Sequence, residues 1–385
     1  MELVKGFKDV EDATKKIAVR NIIEETFKLY NYIPVETPII ETEKFVRGEN
    51  VDDEAVSSIF KLKDRGKRDL ALRYEFTFQL KRLAKNKKLP YKRYQFGEVF
   101  RDEPVGPNRW RQFTQCDVDV VGSKISDEAE IMKIVSEVMG RLNIDFVINF
   151  NNRKLLNEIL DEFKIKESDK QQVIREIDKM DKLDENEVKK NLKKFGAEKI
   201  LSVFKKPEKY FEKYSAYDEV RQLQKYCKMF GIKINFQPFL ARGLSYYNGS
   251  IFEIKSKKMK QSITAGGSYL INGFQSTGIS FGLDRLELLA NLDDESKKVL
   301  VVSLNQDAKA AEIAEKIRKE NIGCSLFYGK PGKALDYANS YQIGYVIFVG
   351  EEEVKNDKFK VKNMDSGREK EVSFNDIGKY FENLE

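Results

Sequence analysis

The stretch from residue 96 to residue 122 carries the residues best suited to chemistry. Its sequence, FGEVFRDEPVGPNRWRQFTQCDVDVVG, is a strand-like run, a loop with two prolines and one glycine, and a second run in which polar and apolar residues alternate. This pattern predicts an antiparallel hairpin with a long loop. Arg101, Arg109 and Arg111 flank the loop, with Glu103 beside them. Because guanidinium groups bind phosphate oxygens in pairs, the hairpin is predicted to hold a polyphosphate; a surface hairpin with solvated charges is the alternative.

Composition excludes several classes of protein. The 385 residues suffice for about two or three domains, and 34% charged with 41% hydrophobic residues is typical of a soluble globular protein. We find no membrane-spanning apolar run and no signal peptide. Cys116, Cys227 and Cys324 are far apart, which predicts a reducing, cytoplasmic location without disulfides or a CxxC metal site. The sequence contains no histidine, so histidine bases and histidine-ligated metals are excluded, and we expect no metal held by side chains.

Positive charge is concentrated in one segment. Residues 151–235 contain 21 Lys+Arg against 16 Asp+Glu, nearly the whole excess of the chain. The lysines concerned are Lys189, Lys190, Lys193, Lys194, Lys199, Lys205, Lys206 and Lys209. A solvated helical face explains such a run as well as contact with a phosphate backbone does.

Periodicity predicts the elements around the hairpin. Helices are expected at 11–30, 76–84, 127–142, throughout 152–230 and from about 281. Strands are expected at 32–40, broken by Pro34 and Pro38, and at 57–63, 71–74, 146–151, 232–239 and 249–255. Residues 298–385 are predicted to form a separate α/β unit, with strands at 299–304, 324–328 and 345–350 and helices at 307–320 and 333–341.

Several strings resemble those of histidyl-tRNA synthetase, a class II aminoacyl-tRNA synthetase. Residues 96–122 resemble motif 2, YIPVETPIIE at 32–41 resembles motif 1, GISFGLDRLELL at 278–289 resembles motif 3, and ARGLSYYNGSIFEI at 241–254 resembles the histidine-site motif peculiar to this family. Other strings resemble the family's N-terminal signature (KGFKD), its insertion (NNRKLLNEIL and IDKMDK) and its anticodon-binding domain (the segment from GKALDYANS). The resemblance implies an α+β fold: a class II synthetase-like antiparallel sheet catalytic core flanked by helices (1–151 and 232–296), a helical insertion (152–231) and a C-terminal α/β anticodon-binding domain (298–385).

The same resemblance implies a reaction, in which ATP and L-histidine form histidyl-adenylate and the histidyl group passes to tRNA(His). Arg101 would hold the α-phosphate, Glu103 the adenine amino group, Arg109 the γ-phosphate and Arg285 the far side of the triphosphate, with Arg111 also in the ATP site. Arg242 would contact both the carboxylate and the α-phosphate, so Arg101 and Arg242 are the expected catalytic residues. Mg²⁺ would neutralise the phosphates.

The resemblance also implies a histidine pocket. Glu75, Thr77 and Gln115 would bind the α-amino group, and Asp119 and Tyr247 the imidazole; Tyr246 and Gly266 complete the set. Simpler interpretations stay open. Glu75 can be a carboxylate at a helix N-terminus, one of the two tyrosines can be core packing, and Gly266 can belong to a turn rather than allow a close approach to substrate.

The chain departs from the family at two positions: Ser245 stands where the family usually has Asp, and Ser268 where it usually has Arg. Both are expected near the histidine pocket, where they would weaken histidine binding. The partners implied are a second copy of the chain joined through motif 1, and a tRNA contacted by the insertion and by residues 298–385. A non-catalytic synthetase-like tRNA-binding module and a histidine-sensing regulatory subunit of ATP phosphoribosyltransferase are the alternative functions.

Overall fold

The computed structural model describes residues 2–48, 54–181, 183–242, 246–292 and 298–382. The chain divides into two compact units, Met1–Leu292 and Asp293–Glu385. Within the described residues, no helix combines the length and the apolar content that crossing a membrane requires.

The first unit contains the predicted hairpin between two sets of elements. Before it come α1 (Thr14–Leu29), β1 (Ile33–Pro34), β2 (Ile40–Thr42), α2 (Glu43–Arg47), α3 (Glu54–Ser57), β3 (Lys61–Lys63), β4 (Asp69–Leu72) and α4 (Thr77–Leu83). The hairpin is β5 (Tyr91–Phe100) and β6 (Gln112–Val121), followed by α5 (Ile125–Arg141) and β7 (Val147–Asn152). The prediction of an antiparallel hairpin with a long loop is therefore confirmed.

Helices fill the described residues between β7 and the next strand. They are α6 (Arg153–Glu162), α7 (Glu167–Ile177), α8 (Glu185–Lys193), α9 (Ile200–Phe204) and α10 (Tyr217–Met229), with 3₁₀ turns at Asp178–Asp181 and Glu208–Lys213. The chain then forms β8 (Asn235–Phe236), β9 (Tyr247–Ser256), β10 (Met259–Ile271), β11 (Phe274–Gly282) and α11 (Leu283–Leu289). The helices share one apolar core with the sheet, and the expected boundaries of an insertion at 152–231 stay a prediction.

An eight-stranded sheet is the larger of the two sheets in the first unit. Its order is β1-β5-β6-β11-β10-β9-β7-β8; the six inner strands are antiparallel, and the two short edge strands pair parallel to their neighbours. Helix α5 covers one face because its apolar residues recur at helical spacing: Ile131, Val135, Val138 and Met139 are fully buried. A smaller sheet, β2-β4-β3, lies apart from the large one.

The segment 32–40, which was predicted as a strand broken by Pro34 and Pro38, is divided between two sheets. Only Ile33–Pro34 pairs with β5, and the chain re-enters a strand at Ile40, in the small sheet. Proline has no N–H to donate to a strand ladder, so Pro34 and Pro38 interrupt the run between two sheets. The predicted strand at 232–239 is likewise reduced to Asn235–Phe236.

The second unit is a five-stranded sheet with helices on both faces. Its elements are β12 (Lys298–Ser303), α12 (Asp307–Lys319), β13 (Gly323–Tyr328), α13 (Pro331–Ser340), β14 (Tyr345–Val349), α14 (Glu351–Asn356), β15 (Phe359–Asn363), β16 (Glu369–Val372) and α15 (Ile377–Glu382). The order is β13-β12-β14-β15-β16, with the first three strands parallel. Helices α12 and α15 pack on one face and α13 on the other. Strands β15 and β16 were not predicted from the sequence.

Candidate functional site

The β5–β6 hairpin positions the first of the predicted phosphate-binding arginines. At the base of the loop, the backbone N–H of Arg101 donates to the carbonyl of Arg111 at 2.9 Å. The Nε of Arg101 donates to the carbonyl of Tyr74 at 3.1 Å, and its guanidinium lies 5.2 Å from the centroid of the Phe113 ring. These contacts hold Arg101 in place before any ligand binds.

Within the loop, acidic residues pair with the other two arginines. Arg109 Nε donates to Glu103 Oε2 at 3.0 Å. Arg111 Nη2 lies 3.1 Å from Asp102 Oδ1, and Arg111 Nε donates to the carbonyl of Glu103 at 3.2 Å. Partly exposed ion pairs of this kind contribute little stability in water, so an incoming phosphate can displace the carboxylates.

The predicted arginines converge in space. Burial lowers the pKa of Arg285, on α11, and the positive charges of Arg101, Arg109 and Arg242 lower it further. These four side chains come from three separate segments of the chain, namely the hairpin, residue 242 and α11. Arg101, Arg109 and Arg242 are each close enough to Arg285 to oppose its charge, and cations grouped in this way attract anions.

Arg242 is held by a carboxylate that was not predicted to belong to the site. Arg242 Nη1 lies 3.3 Å from Glu253 Oε1, which also accepts a hydrogen bond from Ser262, and Glu253 Oε2 lies 3.1 Å from Lys255 Nζ. Burial alone would lower the pKa of Arg242, but Tyr247 and then Glu253 outweigh this effect and raise it. The side chain therefore stays charged although it is largely buried.

The residues predicted to bind the α-amino group lie on two elements. Glu75 precedes α4 and is buried; its Oε2 accepts a hydrogen bond from the Tyr246 hydroxyl at 3.3 Å. Thr77, the first residue of α4, also hydrogen bonds to Tyr246. Gln115, on β6, donates from Nε2 to Ser280 Oγ at 2.6 Å.

Asp119 lies at the centre of a buried polar row that crosses three strands. Arg93 on β5 and Gly278 on β11 are directly opposite it. Arg93 is fully buried, and its Nη2 lies 2.8 Å from Asp119 Oδ2. The hydroxyl of Tyr269 donates to Asp119 Oδ1. A Cβ at position 278 would lie 1.9 Å from that oxygen, so only glycine leaves room for the carboxylate.

Asp117 occupies the next row on the same face of β6. Burial first, and then the charge of Asp119, raises the pKa of Asp117, while Arg93 opposes the rise. Burial also raises the pKa of Asp119, and Arg93 again opposes it. Two carboxylates share one buried cation, so the pair binds a proton more readily than ordinary aspartates do.

Tyr247 interacts electrostatically with Arg242 and with the carboxylates of Glu75 and Asp117. Its ring centroid is 4.9 Å from that of Tyr246, and a Cβ at Gly267 would come within 2.8 Å of the ring. Burial raises the pKa of Tyr247 to about 12, with Arg242 lowering and Glu75 raising it. The hydroxyl is therefore neutral at physiological pH and can both donate and accept a hydrogen bond.

Gly266 has a structural requirement within the sheet. A Cβ at this position would lie 2.1 Å from the carbonyl oxygen of Gly278 on β11. The close approach that requires glycine here is to the neighbouring strand, and the predicted approach to substrate stays a prediction.

The two departures from the family have different outcomes. Ser245 lies outside the described residues. Ser268 does not face the buried polar row: its hydroxyl donates to Glu128 on α5, whereas the next residue, Tyr269, points to Asp119. Alternation along β10 puts the two side chains on opposite faces of the sheet. The expectation that Ser268 borders the histidine pocket was therefore wrong.

Four residues of the site were not identified from the sequence: Arg93, Asp117, Glu253 and Tyr269. Of these, Asp117 could have been found, because it alternates with Gln115 and Asp119 along one strand. The others become visible only once strand register is known.

The described residues contain no group of three or more His, Cys, Asp or Glu side chains that could hold a metal ion. Cys116 and Cys227 are buried free thiols, and Cys324 is a partly buried one.

Two family models match the chain. The model described as histidyl-tRNA synthetase matches residues 6–286, and the model described as an anticodon-binding domain matches residues 298–384. Among curated relatives, histidine–tRNA ligase 1 of Bacillus cereus is 33% identical and the match covers 99% of both chains. Histidine–tRNA ligase 2 of Shouchella clausii is 33% identical, covering 96% of this chain and 98% of the relative.

Solved structures confirm the fold class that was predicted. The histidyl-tRNA synthetase of Nostoc sp. PCC 7120 superposes with a TM-score of 0.86 at 24% identity, over 99% of this chain and 98% of that one. A Bacillus halodurans C structure described as an ATP phosphoribosyltransferase regulatory subunit/histidyl-tRNA synthetase gives a TM-score of 0.74 at 20% identity, over 88% and 96%. At these identities the likeness concerns the fold alone.

Proposed function

The chain belongs to the histidyl-tRNA synthetase family, and we propose that it joins histidine to tRNA(His) in two steps. In the first step, a carboxylate oxygen of histidine attacks the α-phosphorus of ATP, the bond from that phosphorus to the bridging oxygen breaks, and pyrophosphate leaves. In the second, a ribose hydroxyl at the 3′ end of the tRNA attacks the acyl carbon and AMP leaves. The three cysteines are free thiols, consistent with action in a reducing cytoplasm.

One observation carries the proposal: the convergence of Arg101, Arg109, Arg242 and Arg285 around a common region. The attacking group and the phosphates are all anionic, so their mutual repulsion is the main obstacle to reaction. Preorganised cations lower that obstacle most where charge develops. Arg101 and Arg242 would act at the α-phosphate, and Arg109 and Arg285 on the departing phosphates. Arg111 and Glu103 would complete the ATP site, with Glu103 leaving Arg109 for the adenine amino group.

The carboxylate is ionised at neutral pH, so no protein base is required. The chain's residues would bind, orient and stabilise charge, which is enough for a large rate enhancement when the reacting groups are aligned. Magnesium would neutralise the phosphates when bound. The side chains fit an ion carried mainly by ATP, because Glu253, the carboxylate beside Arg242, already pairs with Arg242, Ser262 and Lys255.

Carboxylate and amide groups would bind the amino acid. Glu75, Thr77 and Gln115 would surround the α-ammonium, where a buried anion favours a cation. Gly266 would contribute through its backbone, and Tyr246 would hold Glu75 in position through the hydrogen bond described above.

Asp119 and Tyr247 would select the imidazole ring. Asp119 accepts a hydrogen bond from an imidazole N–H, while the neutral Tyr247 hydroxyl pairs with the second nitrogen. Arg93 would favour the ionised form of Asp119 against the effect of burial and would fix the direction of its carboxylate. A side chain without two ring nitrogens leaves these buried groups unpaired and is rejected.

The remaining proposals concern larger partners. Lys189, Lys190 and Lys193 are exposed on α8 and would contact the tRNA backbone. Residues 298–385 would bind the anticodon. Ile33, Ile39 and Ile40 are 55%, 43% and 49% exposed in the motif 1 segment, an apolar surface suited to an isologous homodimer contact.

The regulatory alternative is not favoured. The anticodon-binding model matches residues 298–384, and a histidine sensor has no use for an anticodon-binding unit. The arginines of the proposed ATP site would equally be unnecessary in a protein that only senses histidine.

The test is ATP–pyrophosphate exchange with histidine, measured for Arg242→Ala. We expect a loss of about 10²–10³-fold, the scale seen when one preorganised stabilising group is removed. Arg221→Ala is the control, because Arg221 is exposed on α10 and pairs with Asp218. Near-normal exchange by a folded Arg242→Ala protein would refute the assigned role.

A further inference from the structure

Residues 4–8, with the sequence VKGFK, contact the loop that joins β5 to β6. The backbone N–H of Arg111, at the end of that loop, donates to the carbonyl of Gly6 at 2.9 Å. This hydrogen bond joins two parts of the chain that are far apart in the sequence. We call residues 4–8 the N-terminal strap and residues 101–111 the hairpin loop.

An aromatic side chain anchors the N-terminal strap. The ring centroid of Phe7 lies 6.0 Å from that of Phe60 and 6.5 Å from that of Phe100, the last residue of β5. The N–H of Phe7 donates to the carbonyl of Val4 at 3.0 Å, which closes a turn within the strap. The strap is therefore attached to both ends of the hairpin loop, at Phe100 through Phe7 and at Arg111 through Gly6.

Gly6 meets two requirements that other residues do not. Its φ of +89° lies in a region that side chains with a Cβ rarely adopt. A Cβ at this position would also lie 2.7 Å from Cγ of Arg111 and 3.0 Å from Cγ2 of Val105. An added methyl group would therefore displace the Arg111 side chain from its contacts with Asp102 and with the carbonyl of Glu103.

Lys8 makes a second contact with the hairpin loop. Its Nζ lies 5.0 Å from the centroid of the Trp110 ring, a distance at which the face of an indole attracts a cation. Trp110 stands between Arg109 and Arg111 in the sequence. A contact that restrains Trp110 therefore also restrains the backbone that carries both arginines.

We propose that Gly6 and Lys8 are positioning residues for ATP, which hold Arg109 and Arg111 in the arrangement that the triphosphate requires. Side chains on a long loop lose conformational freedom when they bind a ligand, and contacts that fix the loop beforehand reduce this cost. Neither residue would touch the reacting atoms. The inference rests on the proposed function, which assigns the two arginines to ATP, and it adds the segment that orients them.

Isothermal titration of the full chain with ATP, in the absence of histidine, tests the proposal. Gly6→Ala should raise the Kd for ATP about tenfold, because Arg111 is displaced. In pyrophosphate exchange the KM for ATP should rise to a similar extent, while the KM for histidine stays within about twofold.

Substitutions of Lys8 supply an independent measurement at an exposed position. Lys8→Met should raise the Kd for ATP about two- to fivefold, whereas Lys8→Arg keeps a cation over the ring and should bind ATP as the unchanged protein does. Lys15→Met is the matched control, because Lys15 is exposed on α1 and its removal takes away the same charge.

The possible failures have different signatures. An unchanged Kd for ATP in Gly6→Ala would overturn the inference, and so would an equal rise in the KM for histidine, because the substitution would then disturb the fold and not the loop. If Gly6→Ala does not fold, the same ATP affinity in Lys8→Met, Lys8→Arg and the unchanged protein would overturn it. An unchanged protein that binds ATP but gives no histidine-dependent exchange would instead contradict the proposed function, and the ATP titrations would still decide the role of the strap.

Discussion

Replacing Glu128 with glutamine should stabilise the folded protein at neutral and alkaline pH. Glu128 is 4% exposed on α5, where its carboxylate accepts hydrogen bonds from Ser268 and Ser250. Burial raises its pKa from 4.5 to about 7, although both serine hydrogen bonds act to lower it. Among the described residues, no cation forms an ion pair with the charged form; its partner on β10 is the neutral hydroxyl of Ser268.

The magnitude follows from this pKa shift. Between pH 4.5 and about 7 the folded protein holds a proton that the unfolded chain releases, so the free energy of unfolding falls as pH rises through this window and is flat above it. A shift of about 2.5 units corresponds to about 3 kcal/mol. Glutamine is neutral at every pH. The free energy of unfolding of Glu128→Gln should therefore be about 1–3 kcal/mol higher than that of the unchanged protein at pH 8, and equal to it at pH 4.5.

Urea unfolding at a series of pH values measures this difference. Trp110, the only tryptophan, lies in the hairpin and reports on the first unit. Glu25→Gln is the control: Glu25 is exposed and pairs with Arg141, so its removal should change stability by less than about 1 kcal/mol at any pH. A Glu128→Gln protein that is less stable than the unchanged protein at pH 8, or that keeps its extra stability in acid, would show that burial of the charged Glu128 does not destabilise the fold.

Three further outcomes are expected. Asp119→Asn should lower kcat/KM for histidine about ten- to hundredfold while the KM for ATP stays within about threefold, because a buried hydrogen-bonding group is lost only at the imidazole; an equal effect on both substrates would place Asp119 elsewhere. Ile40→Asp should convert a dimer into a monomer in sedimentation at micromolar concentration, and an active monomer in the unchanged protein would exclude the motif 1 contact. Deletion of residues 298–385 should abolish tRNA charging but spare most pyrophosphate exchange; parallel loss of both activities would indicate a structural role for that unit.

Local patterns were sufficient to predict the hairpin and the longer helices, but not the short helices α2, α3, α14 and α15. Alternation in β6 and the proline-containing loop before it identified both strands, and the apolar spacing of α5 identified its buried side. The sequence predicted that Pro34 and Pro38 interrupt the strand. It did not predict that the two fragments join different sheets, because this depends on which distant strand each fragment pairs with.

The site residues that could not be predicted from the sequence are those whose position depends on the register between strands. Arg93 lies in YKRYQF, where it alternates with tyrosine and phenylalanine and resembles a solvent-facing residue; it is fully buried because β6 places Asp119 directly opposite. The sequence likewise could not tell which face Ser268 occupies. A shift of one residue along β10 would exchange the environments of Ser268 and Tyr269, and pairing with β9 and β11 decides between them.

We infer that the converging arginines and the buried row around Asp119 form one site for activating histidine. Pyrophosphate exchange by the purified chain, measured with each standard amino acid in turn, tests it most directly. We predict that histidine supports exchange at least about a hundredfold faster than any other amino acid, because only its ring satisfies both Asp119 and Tyr247. Exchange that is absent with histidine, or equally fast with another amino acid, would show that these residues do not form a histidine-activating site.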